Sequence, residues 1–160
     1  MPAETFALPN VYGLITRPAG GAVLIQRRWK PETDPDNLGK WELPGGKWRA
    51  DESAQDCLRR ELQEECGVAL HSVGGSFARY EHLGQPVETS TPTLVVKGHV
   101  SALVVYSGHS DDDPIAEGDG SRDARFMAVE ELKTALRQEP DTFTALTFSA
   151  LTELVARGVL

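Results

Sequence analysis

Three acidic residues stand close together in the stretch "RRELQEECGV", which covers residues 59–68. Glu61, Glu64 and Glu65 are three and four residues apart, so a helix through them places their side chains on one side. Like charges at this spacing destabilise a helix by about 0.2–0.5 kcal/mol per pair, and burying an unpaired charge costs far more. The carboxylates therefore need water or a cation against them. The alternatives are a solvated face, a water-filled cleft and a cation site.

The residues upstream favour the cation site. Pro44, Gly45 and Gly46 come shortly before the acidic stretch, and glycines allow a ligand to approach the main chain closely. Carboxylate and carbonyl oxygens together suit Mg²⁺ or Mn²⁺ rather than zinc. Because Mg²⁺ commonly takes phosphate oxygens as its remaining ligands, the pattern predicts a cation-assisted phosphate site.

A helix from about Asp51 to Cys66 must position these carboxylates. Asp51 is the expected N-cap, and Gly67 suits the position after the last helical residue. The spacing i, i+3, i+4, i+7 predicts one core-facing stripe, apolar in its first half and acidic in its second. The stripe comprises Ala54, Cys57, Leu58, Glu61, Glu65 and Val68, with Glu64 on its border.

Strands surround this helix in the chain. Runs rich in β-branched residues, separated by "RPAGG", predict a hairpin of Val11–Thr16 and Ala22–Arg28. The segment "WEL" predicts a short strand that "PGG" stops. Two strands are expected within 68–82 and 93–107, then "RDARFMAV" as a last strand, then two helices in "EELKTALRQ" and "FTALTFSALTELVARG". This order predicts an α+β fold, an α/β/α sandwich with a mixed sheet, in a single domain over residues 1–160.

The composition limits the possible partners and compartments. The 160 residues carry a net charge of −8, which disfavours binding to a nucleic acid polymer because that needs an excess of Lys and Arg. Cys57 and Cys66 lie about 13 Å apart along one helix, too far for a disulfide. With no apolar run long enough to cross a membrane and no secretory signal, a cytoplasmic protein is expected.

Residues 46–68, "GKWRADESAQDCLRRELQEECGV", resemble the Nudix box, G-x5-E-x7-R-E-U-x-E-E-x-G-U, where U is a bulky aliphatic residue. Every specified position of the box is matched within these 23 residues of the chain. The matching residues are Gly46, Glu52, Arg60, Glu61, Leu62, Glu64, Glu65, Gly67 and Val68.

The resemblance implies an enzyme that hydrolyses a nucleoside diphosphate linked to another moiety, using Mg²⁺ or Mn²⁺. It also implies that Glu61, Glu64 and Glu65 bind the metal, with the carbonyl of Gly45 or Gly46 as a further ligand. Glu61 or Glu64 is then the general base, although some relatives use a downstream loop acid, for which Glu117 is the candidate here.

The resemblance also assigns supporting roles. It implies that Arg60 holds the carboxylate of Glu61 or Glu64, and that Glu52 ties the loop to the helix or assists at the metal. Trp48 is a candidate contact for the ligand, and Trp41 is expected in the core.

Two arginines at the end of a strand, Arg27 and Arg28, lie near the site in the topology that the resemblance implies. One of them, with Arg27 as the candidate, is expected either to contact a phosphate or to lie on the surface.

The substrate is less constrained than the chemistry. "GKWELPGGK" is similar to the segment in MutT-like members, which release a nucleoside monophosphate and pyrophosphate from a triphosphate. The alternative is an ADP-ribose or nucleotide-sugar pyrophosphatase, for which Pro86, 18 residues past Val68, is a weak marker. A nucleotide sensor without catalysis is a third possibility, disfavoured because the box carboxylates are all kept. A homodimer is possible.

Overall fold

The computed structural model describes the backbone of residues 6–91 and 94–160, and the side chains of residues 9–74 and 105–160. The strands are β1 Phe6–Thr16, β2 Ala22–Arg28, β3 Trp41–Glu42, β4 Gly45–Lys47, β5 Ser72–Thr91, β6 Leu94–His109, β7 Glu117–Gly118 and β8 Ser121–Ala128. The helices are α1 Ala54–Cys66, α2 Val129–Gln138 and α3 Ala145–Ala156.

These strands form one mixed sheet in the order β5-β6-β1-β2-β8-β7, with β3 paired to β2 and β4 paired to β1. The long pairing of β1 with β6 is parallel, and the other pairings are antiparallel. The predicted hairpin is present, but β1 and β2 are paired only at Thr16 and Val23. The prediction of a mixed α+β sheet is confirmed.

The sheet has a hydrophobic core on each face, because successive side chains of a strand point to opposite sides. Val11, Ile15 and Leu24 pack against α1 on one face. Val23 and Ile25 pack on the other face, where α2 and α3 supply most of the remaining apolar side chains. The sheet therefore lies between α1 and the other two helices, as an α/β/α sandwich. That residues 1–160 are a single domain stays a prediction.

Helix α1 begins later than the sequence predicts. Ser53 is the N-cap, and its side chain accepts a hydrogen bond from the main-chain nitrogen of Asp56 at 3.1 Å. The prediction that Asp51 is the N-cap is therefore wrong. Residues 51–52 still belong to the loop, where hydrogen bonds fix the Glu52 carboxylate. The C-terminal end is as predicted, with Gly67 in the left-handed region at φ 65°.

The short strand β3 ends before "PGG", as predicted, but the two glycines begin a further strand that the sequence did not predict. Gly45–Lys47 forms β4 and pairs with Asn10, Val11 and Tyr12 of β1. Gly45 has φ 148°, and a Cβ there would lie 2.2 Å from the carbonyl oxygen of Val11. A glycine thus lets the loop approach the sheet, which places the segment directly beside α1.

Three smaller expectations concern buried residues and membranes. Trp41 lies in the core, with 7% of its surface exposed. Cys57 and Cys66 are buried and free. No helix in the described part of the chain is long and apolar enough to cross a membrane.

Candidate active site

The side chain of Arg60 lies among three carboxylates of the acidic stretch and its preceding loop. It donates two hydrogen bonds to Glu52, from Nε to Oε2 at 3.0 Å and from Nη2 to Oε1 at 2.7 Å. Its Nη1 donates to Glu61 Oε1 at 2.7 Å and to Glu64 Oε2 at 3.3 Å. One guanidinium thus holds two of the three carboxylates that the helical spacing predicts on one side, Glu61 and Glu64, together with Glu52 of the preceding loop.

Glu52 anchors the loop before α1. Its carboxylate also accepts a hydrogen bond from the main-chain nitrogen of Arg49 at 3.0 Å, and its carbonyl accepts one from the indole of Trp48 at 2.8 Å. The hydrogen bonds from Arg60, followed by the one from the main-chain nitrogen of Arg49, lower the pKa of Glu52 to about 2. The pair with Glu52 in turn raises the pKa of Arg60, so both groups are charged at neutral pH.

Gly46 brings the main chain against a carboxylate of the helix. A Cβ at Gly46 would lie 2.6 Å from the carboxylate of Glu61. A larger side chain at Gly46 would therefore have to displace the Glu61 carboxylate from its place beside Arg60.

Glu65 is more deeply buried than Glu61 and Glu64, the other two glutamates of the acidic stretch. It is 4% exposed, whereas the Glu64 side chain is 40% exposed. Its Oε2 accepts hydrogen bonds from the main-chain nitrogen of Gly45 at 3.0 Å and from Gln26 Nε2 at 2.9 Å. Burial, reinforced by the charge of Glu42, raises the pKa of Glu65 to about 8.

Gln26 and Glu42 belong to this site although the sequence did not single them out. Gln26 is fully buried, and its Nε2 also donates to Glu42 Oε1 at 3.3 Å. The thiol of Cys66 donates to Oε1 of Gln26 at 3.0 Å. Glu42 is buried, which raises its pKa, although Arg28 Nη1 lies 3.3 Å from its carboxylate. The sequence contained a signal for Gln26: it stands two residues after Leu24, so the alternation along the strand places both side chains on the same face of the sheet, towards α1.

The loop from Ile115 to Ser121 closes the C-terminal end of α1. The main-chain nitrogen of Ile115 donates to the carbonyl of Cys66 at 2.9 Å, and that of Asp119 donates to the carbonyl of Glu64 at 3.0 Å. The hydroxyl of Ser121 donates to the carbonyl of Glu65 at 2.6 Å. Carbonyls that have no partner within a helix end are thereby satisfied, and the residues that carry the acidic side chains are held in place.

Glu117, the candidate loop acid, lies in this same segment. Its side chain is 76% exposed, and its carboxylate lies 3.8 Å from the guanidinium of Arg122. The segment thus brings Glu117 to the end of α1 that carries Glu64 and Glu65, while its carboxylate faces an arginine and solvent.

Two other candidates differ in their positions. Trp48 is 40% exposed beside the loop and Glu52, at the acidic site. Arg27 points to the opposite face of the sheet, where its guanidinium lies 3.9 Å from the centroid of the Trp41 ring. The structure therefore does not bring Arg27 to the carboxylates, and its phosphate contact stays a prediction. The side chain of Pro86 lies outside the described residues.

The carboxylate and carbonyl oxygens of the site are ligands that suit a hard divalent cation, although the carboxylates do not converge on one point. Within the described residues no three His, Cys, Asp or Glu side chains converge as a ready metal site, because the Arg60 guanidinium lies among Glu52, Glu61 and Glu64. Glu65 supplies the positive observation. Glu65 is 4% exposed, and in the described part of the chain no hydrogen bond reaches its Oε1, although two reach its Oε2. A buried carboxylate with one oxygen unpartnered, close enough to Glu42 and Glu61 to be affected by their charges, suits a cation with oxygen ligands.

Comparison with known proteins gives consistent similarities. The family model of the NUDIX domain matches residues 7–147. A putative 8-oxo-dGTP diphosphatase 2 of Mycobacterium tuberculosis (strain ATCC 25618 / H37Rv) is 47% identical over 60 residues, which are 38% of this chain and 39% of that protein. The CTP pyrophosphohydrolase of Escherichia coli (strain K12) is 38% identical over 61 residues, 38% of this chain and 42% of that protein. The matches thus span about two fifths of these relatives.

A solved structure extends the similarity over nearly the whole chain. The MutT protein from Methanosarcina mazei Go1 is 26% identical, with a TM-score of 0.62, and the alignment covers 98% of both chains.

Proposed function

Because the chain belongs to the NUDIX family, we propose that it is a hydrolase that cleaves a pyrophosphate bond in a nucleotide, with Mg²⁺ or Mn²⁺ as its cofactor. The observation that carries the proposal is the grouping of Glu52, Glu61 and Glu64 around Arg60, directly beside Gly46 of β4. Acidic groups held beside an approachable main chain are the components of a cation-assisted phosphate site.

The residues that would hold the cation are three of the four box glutamates and a glycine. Glu61, Glu64 and Glu65 supply carboxylate oxygens, and the carbonyl of Gly46 or Gly45 supplies a main-chain oxygen. A divalent cation bound there neutralises phosphate charge and lowers the pKa of a coordinated water.

The chain itself orients the carboxylates and accepts the proton. Arg60 restrains Glu61 and Glu64, and Glu52 restrains Arg60 through two hydrogen bonds. Glu61 or Glu64 takes the proton of the attacking water, and the greater exposure of the Glu64 side chain, 40% against 13%, supports Glu64. Glu117 is the alternative base, with less support because its carboxylate faces Arg122.

A nucleoside triphosphate is the substrate we favour. The names of two relatives specify 8-oxo-dGTP and CTP, both triphosphates, and Trp48 presents an exposed indole beside the acidic site as a contact for the ligand. Water attacks one phosphorus, a new P–O bond forms, and the bridging P–O bond breaks to give a monophosphate and pyrophosphate. A cytoplasmic location and a homodimer stay predictions.

A substrate panel tests the proposal. The purified chain is incubated with Mg²⁺ or Mn²⁺ and each of CTP, the other nucleoside triphosphates, 8-oxo-dGTP, ADP-ribose and a nucleotide sugar, and the products are separated by chromatography. We expect pyrophosphate and a monophosphate from a triphosphate, and no products with EDTA. Cleavage of ADP-ribose alone would replace the favoured substrate by the runner-up. Tight binding of one nucleotide without turnover of any would instead support a sensor.

A further inference from the structure

Gln26 is a polar side chain at a fully buried position of β2, where an apolar side chain is expected. It follows Val23, Leu24 and Ile25 in β2, and all four residues are fully buried. A buried amide is costly unless its hydrogen bonds are made. Both ends of this amide are used, since Nε2 donates to two carboxylates and Oε1 accepts from a thiol.

The amide links two elements of the site through its donors. Its Nε2 lies 2.9 Å from Glu65 Oε2 on α1 and 3.3 Å from Glu42 Oε1 on β3. Among the described residues each of these carboxylates has one further donor, the main-chain nitrogen of Gly45 for Glu65 and the guanidinium of Arg28 for Glu42. Gln26 is therefore the shared donor of two buried acidic groups.

Both hydrogen bonds to the Glu65 carboxylate go to the same oxygen. Gln26 and the nitrogen of Gly45 both donate to Oε2, which fixes the plane of the carboxylate. Among the described residues none donates a hydrogen bond to Oε1. One oxygen is thus held by the protein, while the other has no hydrogen-bond donor among the described residues and is left for a different partner.

We infer that Gln26 is a positioning residue, which turns the Glu65 carboxylate so that its Oε1 is presented to the divalent cation. This inference rests on the proposed function, because it assigns a role to Gln26 through a proposed metal ligand. Groups that orient a metal ligand by hydrogen bonding typically change metal affinity by 10- to 100-fold when they are removed.

Mn²⁺ alone is the probe, with free Mn²⁺ measured by electron paramagnetic resonance. Gln26→Leu and Gln26→Met keep an apolar side chain of similar size in the core and remove both donors. We expect each variant to bind Mn²⁺ about 10- to 100-fold more weakly. Ser110→Ala is the control, since Ser110 is also buried and its hydroxyl contacts the main chain of Ala69 and Asp112. Its Mn²⁺ affinity should equal that of the wild type.

A double-mutant cycle separates positioning from a general loss of structure. If Gln26 acts through Glu65, Gln26→Leu should weaken Mn²⁺ binding strongly in the wild-type background and by less than about twofold in a Glu65→Gln background. A merely structural role would weaken binding by the same factor in both backgrounds, and that result would overturn the inference.

The outcomes also distinguish this inference from the proposed function. Wild-type affinity for Mn²⁺ in both folded Gln26 variants would overturn the inference, while metal-dependent turnover by the wild type would leave the proposed function standing. Absence of both Mn²⁺ binding and turnover in the wild-type chain would overturn the two together.

Discussion

The guanidinium of Arg60 meets the carboxylate of Glu52 in a bidentate pair, with N–O distances of 3.0 and 2.7 Å. Both side chains are mostly buried, at 18% and 13% exposure, so this pair is little screened by solvent. It joins the loop before α1 to the middle of the helix. The same guanidinium reaches Glu61 and Glu64, so one positive charge stands among three negative ones.

Replacing Arg60 should destabilise the metal-free protein. Arg60→Gln removes charged hydrogen bonds and leaves three carboxylates close together, so we expect the free energy of unfolding to fall by about 1.5–3 kcal/mol. Urea unfolding with EDTA measures it. Arg59→Gln is the matched control, since its pair with Asp56 is exposed and should contribute under about 1 kcal/mol. Equal losses in the two variants would contradict the role given to Arg60.

Neutralising Glu61 or Glu64 should suppress turnover but keep the fold. Glu61→Gln and Glu64→Gln each remove a ligand charge and a candidate base, so we expect turnover of the best substrate to fall by about 10²-fold or more. Steady-state kinetics with circular dichroism measures both properties. Asp56→Asn changes an acidic residue near the start of the same helix and should keep near-normal activity. Near-normal activity in both glutamate variants would remove them from the chemistry.

The stability of the metal-free protein should fall as the pH rises towards about 8. The pKa of Glu65 is raised from 4.5 to about 8 in the fold, so the folded chain binds this proton more tightly than the unfolded chain does. The resulting stabilisation is complete below about 4.5 and is lost as the pH passes through about 8. Urea unfolding at several pH values in EDTA measures the slope.

Glu65→Gln is neutral at every pH and should flatten this slope. A residual slope from Glu42 should remain, because burial raises the pKa of that carboxyl as well. Wild-type and Glu65→Gln curves that run parallel between pH 5 and 9 would show that Glu65 does not titrate in this range.

Gly118 should tolerate no side chain. A Cβ there would lie 1.8 Å from the carbonyl oxygen of Glu65, so Gly118→Ala must push the loop away from the end of α1. We expect unfolding to become easier by about 1–3 kcal/mol and Mn²⁺ binding to weaken. Ala116→Ser, an exposed change two residues away, is the control. An unchanged melting temperature and Mn²⁺ affinity in Gly118→Ala would show that the loop does not hold the helix end.

Local patterns in the sequence predicted the helix and its acidic side. The end at Gly67 was predictable because a left-handed residue there favours glycine. The start was not, because Asp51 and Ser53 are both of residue types that cap helices, and the choice depends on the hydrogen bonds of Glu52 to Arg60, eight residues away.

The interior of the site was beyond local patterns. Gln26 lies near the end of β2, and its partner Glu65 is 39 residues away in the chain. Glu42 lies in the two-residue strand β3, and its partner Arg28 is 14 residues away. The alternation along β2 shows that Arg27 and Gln26 point to opposite faces of the sheet. It does not show which face carries the acidic site, and that became clear from the packing of Arg27 on Trp41, on the face of α2 and α3.

Anomalous X-ray scattering from crystals grown with Mn²⁺ and a non-hydrolysable nucleoside triphosphate tests the central claim most directly. We expect a Mn²⁺ peak at about 2.0–2.3 Å from carboxylate oxygens of Glu61, Glu64 and Glu65 and from a carbonyl oxygen of Gly45 or Gly46. Nucleotide bound elsewhere, with those carboxylates still on Arg60 and Gln26 and no Mn²⁺ among them, would contradict it.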